Sequence, residues 1–171
     1  MTIDLVSSSE MGADPQKFYV IAKGPGLLAG MSYPRSTEWQ SLHDSGYRYV
    51  VCLTDDRPTY DPTPLALLYG ARLQDLYGGA LPNQPEHEER CIREAVELIQ
   101  PRVLAGEGVV IHCKGGTGRT GTVITCTLKA LGLPTRAILD HMGKVNTART
   151  KYSGWKGWPE STWQREMLDR F

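Results

Sequence analysis

Residues 109–131 constrain this chain more than any other segment. Val109, Val110 and Ile111 form a short apolar run that ends at His112 and Cys113. The glycine-rich turn Lys114-Gly115-Gly116-Thr117-Gly118 follows, then Arg119, Thr120 and a helical pattern that Gly132 and Pro134 stop. Strand, loop and helix in immediate succession require the loop to sit at the carboxyl end of a strand. A loop with so few side chains can turn its backbone N–H groups toward one point. The helix that follows aims the positive end of its dipole at the same point. A tetrahedral anion fits there, and a thiol at Cys113 is expected to ionise beside it. Arg119 adds a planar fork that grips two oxygens at once, which an ammonium group cannot do. The expected anion-binding set is Lys114, Gly115, Gly116, Thr117, Gly118 and Arg119, with Cys113 as a nucleophile toward a phosphoryl group.

The rest of the chain supplies a frame for that loop. Phe18 to Ile21 and Leu27 to Ala29 read as strands around the Gly24-Pro25-Gly26 turn. A short helix is expected over 37–44, closed by Gly46, and a buried strand over 48–53. The pattern then predicts a short helix over 64–69 and a strand over 71–73. Asn83 and Glu86 have capping-box spacing, and Ile92, Ala95, Val96, Ile99 and Val103 share one face of a long helix. Pro101 is expected to bend or end that helix before Gly106. Two more helices follow, over 136–145 and 159–171. Alternating strands and helices imply an α/β three-layer sandwich, with a central, mostly parallel sheet flanked by helices. Residues 1–16 read as a loosely held leader and 17–171 as a single domain.

With a formal net charge of zero, the chain offers no electrostatic reason to bind nucleic acid or a membrane surface. No apolar run is long enough to span a bilayer, and the first residues lack a signal-peptide pattern. Cys52, Cys91, Cys113 and Cys126 form no C-x-x-C pair and no zinc spacing. A reducing, cytoplasmic setting suits them, and a monomer without cofactor or metal is expected. Cys91 and Cys126 read as helix packing positions. A nucleotide-binding P-loop fails for want of Gly-Lys-[Ser/Thr], and His87-Glu88-Glu89-Arg90-Cys91 lacks the second histidine of a zinc protease. A sulfurtransferase also uses a loop-borne cysteine, but has no need of His112 or Thr120.

His112-Cys113-x-x-Gly116-x-x-Arg119-Thr120 matches the H-C-x-x-G-x-x-R-[ST] signature of the protein tyrosine phosphatase superfamily. From about Leu27 to the C-terminus the chain resembles its compact dual-specificity branch. The resemblance implies hydrolysis of phosphotyrosine, extending to phosphoserine and phosphothreonine, through a cysteinyl-phosphate. Thr120 would then stabilise the departing thiolate, and His112 would order the loop. An ester's leaving oxygen also needs a proton. Asp55, Asp56, Asp61 and Asp75 are the candidates by residue type, and the family places its acid on a loop ahead of the long helix. Asp75, followed by the hinge glycines Gly78 and Gly79, fits best.

Some family members carry a second cysteine that bonds reversibly with the nucleophile, which makes Cys52 a candidate redox partner. Phosphatases of 3-phosphoinositides place lysines at the positions of Lys114 and Thr117, and only the first is present. A phosphoinositide or inositol-phosphate phosphatase therefore stays open as an alternative, as does a phosphate-binding module without turnover. The partner in each reading is a phosphorylated protein, small molecule or lipid. Lys144, Arg149, Lys151 and Lys156, interleaved with Tyr152, Trp155 and Trp158, read as a solvated basic loop or an anion-recognition surface. Gln164, on the last helix, reads as structural.

Overall fold

A computed structural model describes residues 2–171. Its core is one six-stranded sheet. The strands are β1 (Asp4–Leu5), β2 (Phe18–Lys23), β3 (Leu27–Met31), β4 (Tyr47–Cys52), β5 (Ala66–Gly70) and β6 (Gly108–His112), in the order β1-β2-β3-β6-β4-β5. The pairs β3/β6, β6/β4 and β4/β5 are parallel, whereas β1/β2 and β2/β3 are antiparallel. The sheet is mostly parallel, as expected, with an antiparallel flap at its N-terminal edge.

All five residues of β6 are buried, because helices cover both faces of this central strand. Its side chains alternate between two cores. Val109 and Ile111 join the larger one, packed under α2 (Pro85–Leu104), α3 (Gly118–Ala130), α4 (Thr135–Ala148) and α5 (Thr162–Asp169). Val110 joins the smaller one, with Ala29, Met31, Tyr47, Val50 and Leu65, which α1 (Trp39–Asp44) covers through Trp39 and Leu42. The three layers are therefore lopsided, four helices against one.

Several local expectations are corrected. Residues 66–70 form a strand, not a helix: Leu and Ala favour a helix, but pairing with the free edge of β4 outweighs that weak preference. The strand expected over 71–73 is instead irregular chain, although Ala71 N–H and Leu73 N–H still donate to Cys52 and Leu53 carbonyls at 3.0 and 3.2 Å. The long helix α2 ends at Leu104, three residues past Pro101 and before Gly106, as expected. Its cap is Gln84 with Pro85 in the first turn, so the Asn83–Glu86 capping box does not form. The N-terminal segment, expected to be loosely held, contributes β1 and buries Val6 and Met11. Met1 of that segment lies outside the described residues.

Candidate active site

β6 delivers Cys113 to the base of a cleft, with only 2% of its surface exposed. The chain then curls back through Gly116, whose φ of 71° is a left-handed conformation that glycine adopts without strain. A Cβ there would also overlap the Met31 carbonyl of the neighbouring strand. α3 starts at Gly118, so its first N–H groups lie against the loop. Thr120, on the first turn, has a fully buried hydroxyl without a hydrogen-bond partner among the described residues. Further along α3, Thr122 and Thr127 donate to backbone carbonyls four residues earlier. Trp158 Nε1–H donates to Thr122 Oγ1 and lays its ring against Gly121.

The loop keeps its curl because its carbonyls are pulled outward. Arg149 is 1% exposed and donates from Nη2 to the Gly115 carbonyl (2.9 Å) and from Nη1 to the Gly116 carbonyl (2.7 Å) and Thr117 Oγ1 (3.0 Å). Its Nε–H donates to the Pro15 carbonyl (2.8 Å), tying the N-terminal segment to the loop. Tyr19 lies 4.2 Å beneath the guanidinium and donates its hydroxyl to the Gly116 carbonyl at 2.6 Å. With the carbonyls held outside, the intervening N–H groups are free to face inward. Arg149 therefore does not belong to a solvated basic loop, the reading its neighbours suggested. Among the described residues it pairs with no carboxylate, and its charge stays beneath the cradle. Nothing local in the sequence marks this role, since 33 residues separate Arg149 from Gly116.

Opposite the loop stands Asp75. Its Oδ2 lies 3.4 Å from Arg119 Nη2, and its Oδ1 accepts the Tyr77 N–H. Arg119 also donates to the Leu73 carbonyl at 3.3 Å, which aims its fork across the cleft. The segment bearing Asp75 is clasped at both ends. Gln74 N–H donates to the Glu88 carboxylate on α2, while the Gln74 side chain accepts from Asn83 N–H and donates to the Leu81 carbonyl. The other candidate acids are engaged elsewhere. Asp55 pairs with Arg72 at 2.8 Å, Asp56 accepts the Arg72 N–H, and Asp61 is held by Thr63, whose hydrogen bonds lower its pKa.

The cleft has a volume of about 290 Å³, with Cys113, Arg119 and Asp75 joined by Lys151, Trp155 and Glu160. Tyr77 and Tyr152 stand on its rim with their hydroxyls 3.2 Å apart. Glu160 is the functional candidate that sequence reasoning missed. Its carboxyl lies against Gly118, where any side chain would displace it. Burial and the nearby Asp75 raise its pKa above the usual glutamate value, against the opposing pull of Arg119, Lys151 and Arg149. Its backbone carbonyl accepts Gly79 N–H, and its N–H donates to the buried Gln164. No motif singles out Glu160. Only the fold returns this distant residue to the loop.

His112 is fully buried behind Cys113. Its Nδ1 lies 3.1 Å from the Cys113 carbonyl and its Nε2 2.5 Å from the Tyr60 hydroxyl. Donation from Nδ1–H leaves Nε2 to accept from Tyr60. Cys52 sits in register with His112 on the adjacent strand, with Sγ 3.4 Å from Thr54 Oγ1. Burial raises the Cys52 pKa, but the neighbouring His112 and the hydrogen bonds to Thr54 prevail and bring it down to about 7. In-register residues of parallel strands share a face, so Cys52 lies with His112, whereas Cys113 packs in the larger core of the other face. Both thiols are free. Among the described residues, no group of three or more His, Cys, Asp or Glu side chains is placed to hold a metal ion. No helix among them is long and apolar enough to cross a membrane.

Known proteins resemble this chain in sequence and in fold. A protein of Invertebrate iridescent virus 3 named as a tyrosine phosphatase, 067L, is 31% identical in an alignment 150 residues long that covers 81% of this chain and 59% of that protein. The chain spans about three-fifths of that relative's length. Among solved structures, Tk-PTP in its active form is 25% identical with a TM-score of 0.56, over 86% of this chain and 91% of that one. DUSP15 is 17% identical with a TM-score of 0.57, over 89% of this chain and 96% of that one, a likeness of fold alone. The model of the Swiss Army Knife protein, DSP-PTPase phosphatase domain (PTP-SAK) matches residues 16–166. A match over so much of its length places the chain in this family, as a dual-specificity-type member of the protein tyrosine phosphatase superfamily.

Proposed function

We propose that the chain is an active cysteine-dependent phosphatase that hydrolyses phosphotyrosine and, more broadly, phosphoserine and phosphothreonine. The reading rests above all on one juxtaposition: Arg119, anchored in the cysteine loop, faces the Asp75 carboxylate 3.4 Å away across a cleft with Cys113 at its base. Cys113 Sγ attacks phosphorus and the bond to the leaving oxygen breaks, while Asp75 gives that oxygen its proton. Water then attacks phosphorus, Asp75 takes the water's proton, and the phosphorus–sulfur bond breaks to restore the thiolate. The loop amides and the Arg119 fork stabilise charge growing on the equatorial oxygens in both steps. The Thr120 hydroxyl, buried and without a partner, supplies a donor for the departing thiolate. Tyr77, Tyr152 and Trp155 around the opening suit an aromatic leaving group.

Lys151 supports a second reading. With Lys114 it gives the cleft a second lysine although Thr117 stands in the loop, which favours substrates bearing more than one phosphate, such as phosphoinositides or inositol phosphates. A panel of phosphopeptides, phosphoinositides and soluble inositol phosphates separates the two. Asp75→Asn tests the mechanism within either. It should slow esters with poor leaving groups at least tenfold more than activated aryl phosphates, since only the former need the proton. Equal losses on both would assign the acid elsewhere.

A further inference from the structure

Beside the cleft over Cys113 lies a larger groove, of about 460 Å³. Its floor is apolar, built from Phe18, Met31, Tyr33 and Leu42, and its rim carries the exposed cations Lys17, Arg35 and Lys114. Lys114 lines both the groove and the cleft, so the two are continuous across one side chain. The join is held firmly, because Tyr33 N–H donates to the Lys114 carbonyl at 3.0 Å and Ser32 N–H donates to the Lys17 carbonyl. Among the described residues, Arg35 and Lys114 pair with no carboxylate, and Lys17 reaches only Asp14 at 3.8 Å on an exposed surface, where such a pair adds little. Glu38 is the single acid among the groove's lining residues.

We propose that this groove receives the polypeptide flanking the phosphorylated residue, and that it selects acidic side chains next to the phosphosite. The proposal rests on the reading of Cys113 as the nucleophile and adds the substrate class. A phosphoryl group held over Cys113 leaves its chain to exit past Lys114. An acidic side chain beside it meets Arg35 and Lys17, and an apolar one reaches the floor between them. A chain whose formal net charge is zero has no overall attraction to an anionic membrane, which favours a peptide over a lipid surface as the occupant.

The test compares kcat/KM on phosphotyrosine peptides of one length with acidic, neutral or basic flanks. A small aryl phosphate that cannot reach the groove serves as control, at low and high salt. The acidic peptide should be preferred over the basic one by roughly tenfold at low salt, with the preference shrinking as salt rises. Lys17→Glu/Arg35→Glu should abolish that preference and leave aryl phosphate turnover unchanged. Arg35→Gln alone should reduce it, should the double variant fold poorly. Equal rates on all peptides, or equal losses on the aryl phosphate, would overturn the proposal. So would a preference only for phosphoinositide vesicles. Peptide binding to the Cys113→Ser protein, followed by anisotropy, tests the groove even if turnover fails. Absence of aryl phosphate hydrolysis would instead count against the nucleophile.

Discussion

The Arg149 guanidinium sits in a place that is 1% exposed, and among the described residues no carboxylate pairs with it directly. A buried cation normally needs a partner, because leaving water is costly. Here carbonyls of the cysteine loop and of Pro15 accept its hydrogen bonds, and in the proposed function the opposing charge would arrive as the phosphoryl group. Arg149→Met should orphan these acceptors at ~1–3 kcal/mol each. The expected outcome is a lower Tm together with loss of vanadate affinity. Arg149→Lys should rescue neither, since one ammonium cannot span the fork of contacts. A variant that melts lower yet binds vanadate normally would show that the loop curls without it. Glu160 makes the opposite kind of prediction. Its folded pKa is raised, so the folded chain holds a proton that the unfolded chain has released, and stability falls as pH rises through that raised value. Glu160→Gln should therefore raise Tm near neutral pH but not in acid. It should also tighten vanadate binding at neutral pH, where the native carboxylate repels an anion. Unchanged Tm and affinity across the pH range would remove Glu160 from the electrostatics of the cleft.

The segment between β5 and α2 is clasped at its ends and tied more lightly in its middle, where Gly79 N–H donates to the Glu160 carbonyl and the Tyr77 hydroxyl meets that of Tyr152. Gly78 and Gly79 have positive φ and open space around them, whereas Gln74 is fixed to Glu88, Leu81 and Asn83. Glu88 is buried, which raises its pKa against the pull of the Gln74 N–H. Glu88→Ala should lower stability by ~1–3 kcal/mol through that unpaired N–H. It should also reduce kcat on alkyl phosphates severalfold more than on activated aryl phosphates, because it loosens the acid and not the nucleophile. Identical effects on both substrates would mean that the clasp is structural only. This element was half legible in the sequence. Asp75 and its glycines stand out, but the strand before it reads as a helix over 64–69 because Leu65 to Tyr69 carries no alternation to mark it. β5 exists through its pairing with β4, information that a local pattern does not hold.

At the scale of the whole molecule, legibility follows distance along the chain. The strand–loop–helix around Cys113 was readable because its parts are neighbours in sequence, as was the parallel α/β sheet built from repeated local patterns. Arg149 and Glu160 were not, because each reaches the loop only after α3 and α4 have turned the chain back. The N-terminal segment differs from its expectation for a related reason. Its Ser, Gly and Asp content reads as loose chain, yet Met11 is buried, its carbonyl accepts Val20 N–H and Pro15 accepts from Arg149. All these contacts converge on one turn of backbone, which the proposed function requires to hold an anion beside sulfur. Rapid acid quenching of the enzyme with a radiolabelled aryl phosphate tests that arrangement most directly. Label retained covalently on the peptide bearing Cys113, and lost in Cys113→Ser, is the predicted result. Turnover without any labelled cysteine, or label on another residue, would contradict it.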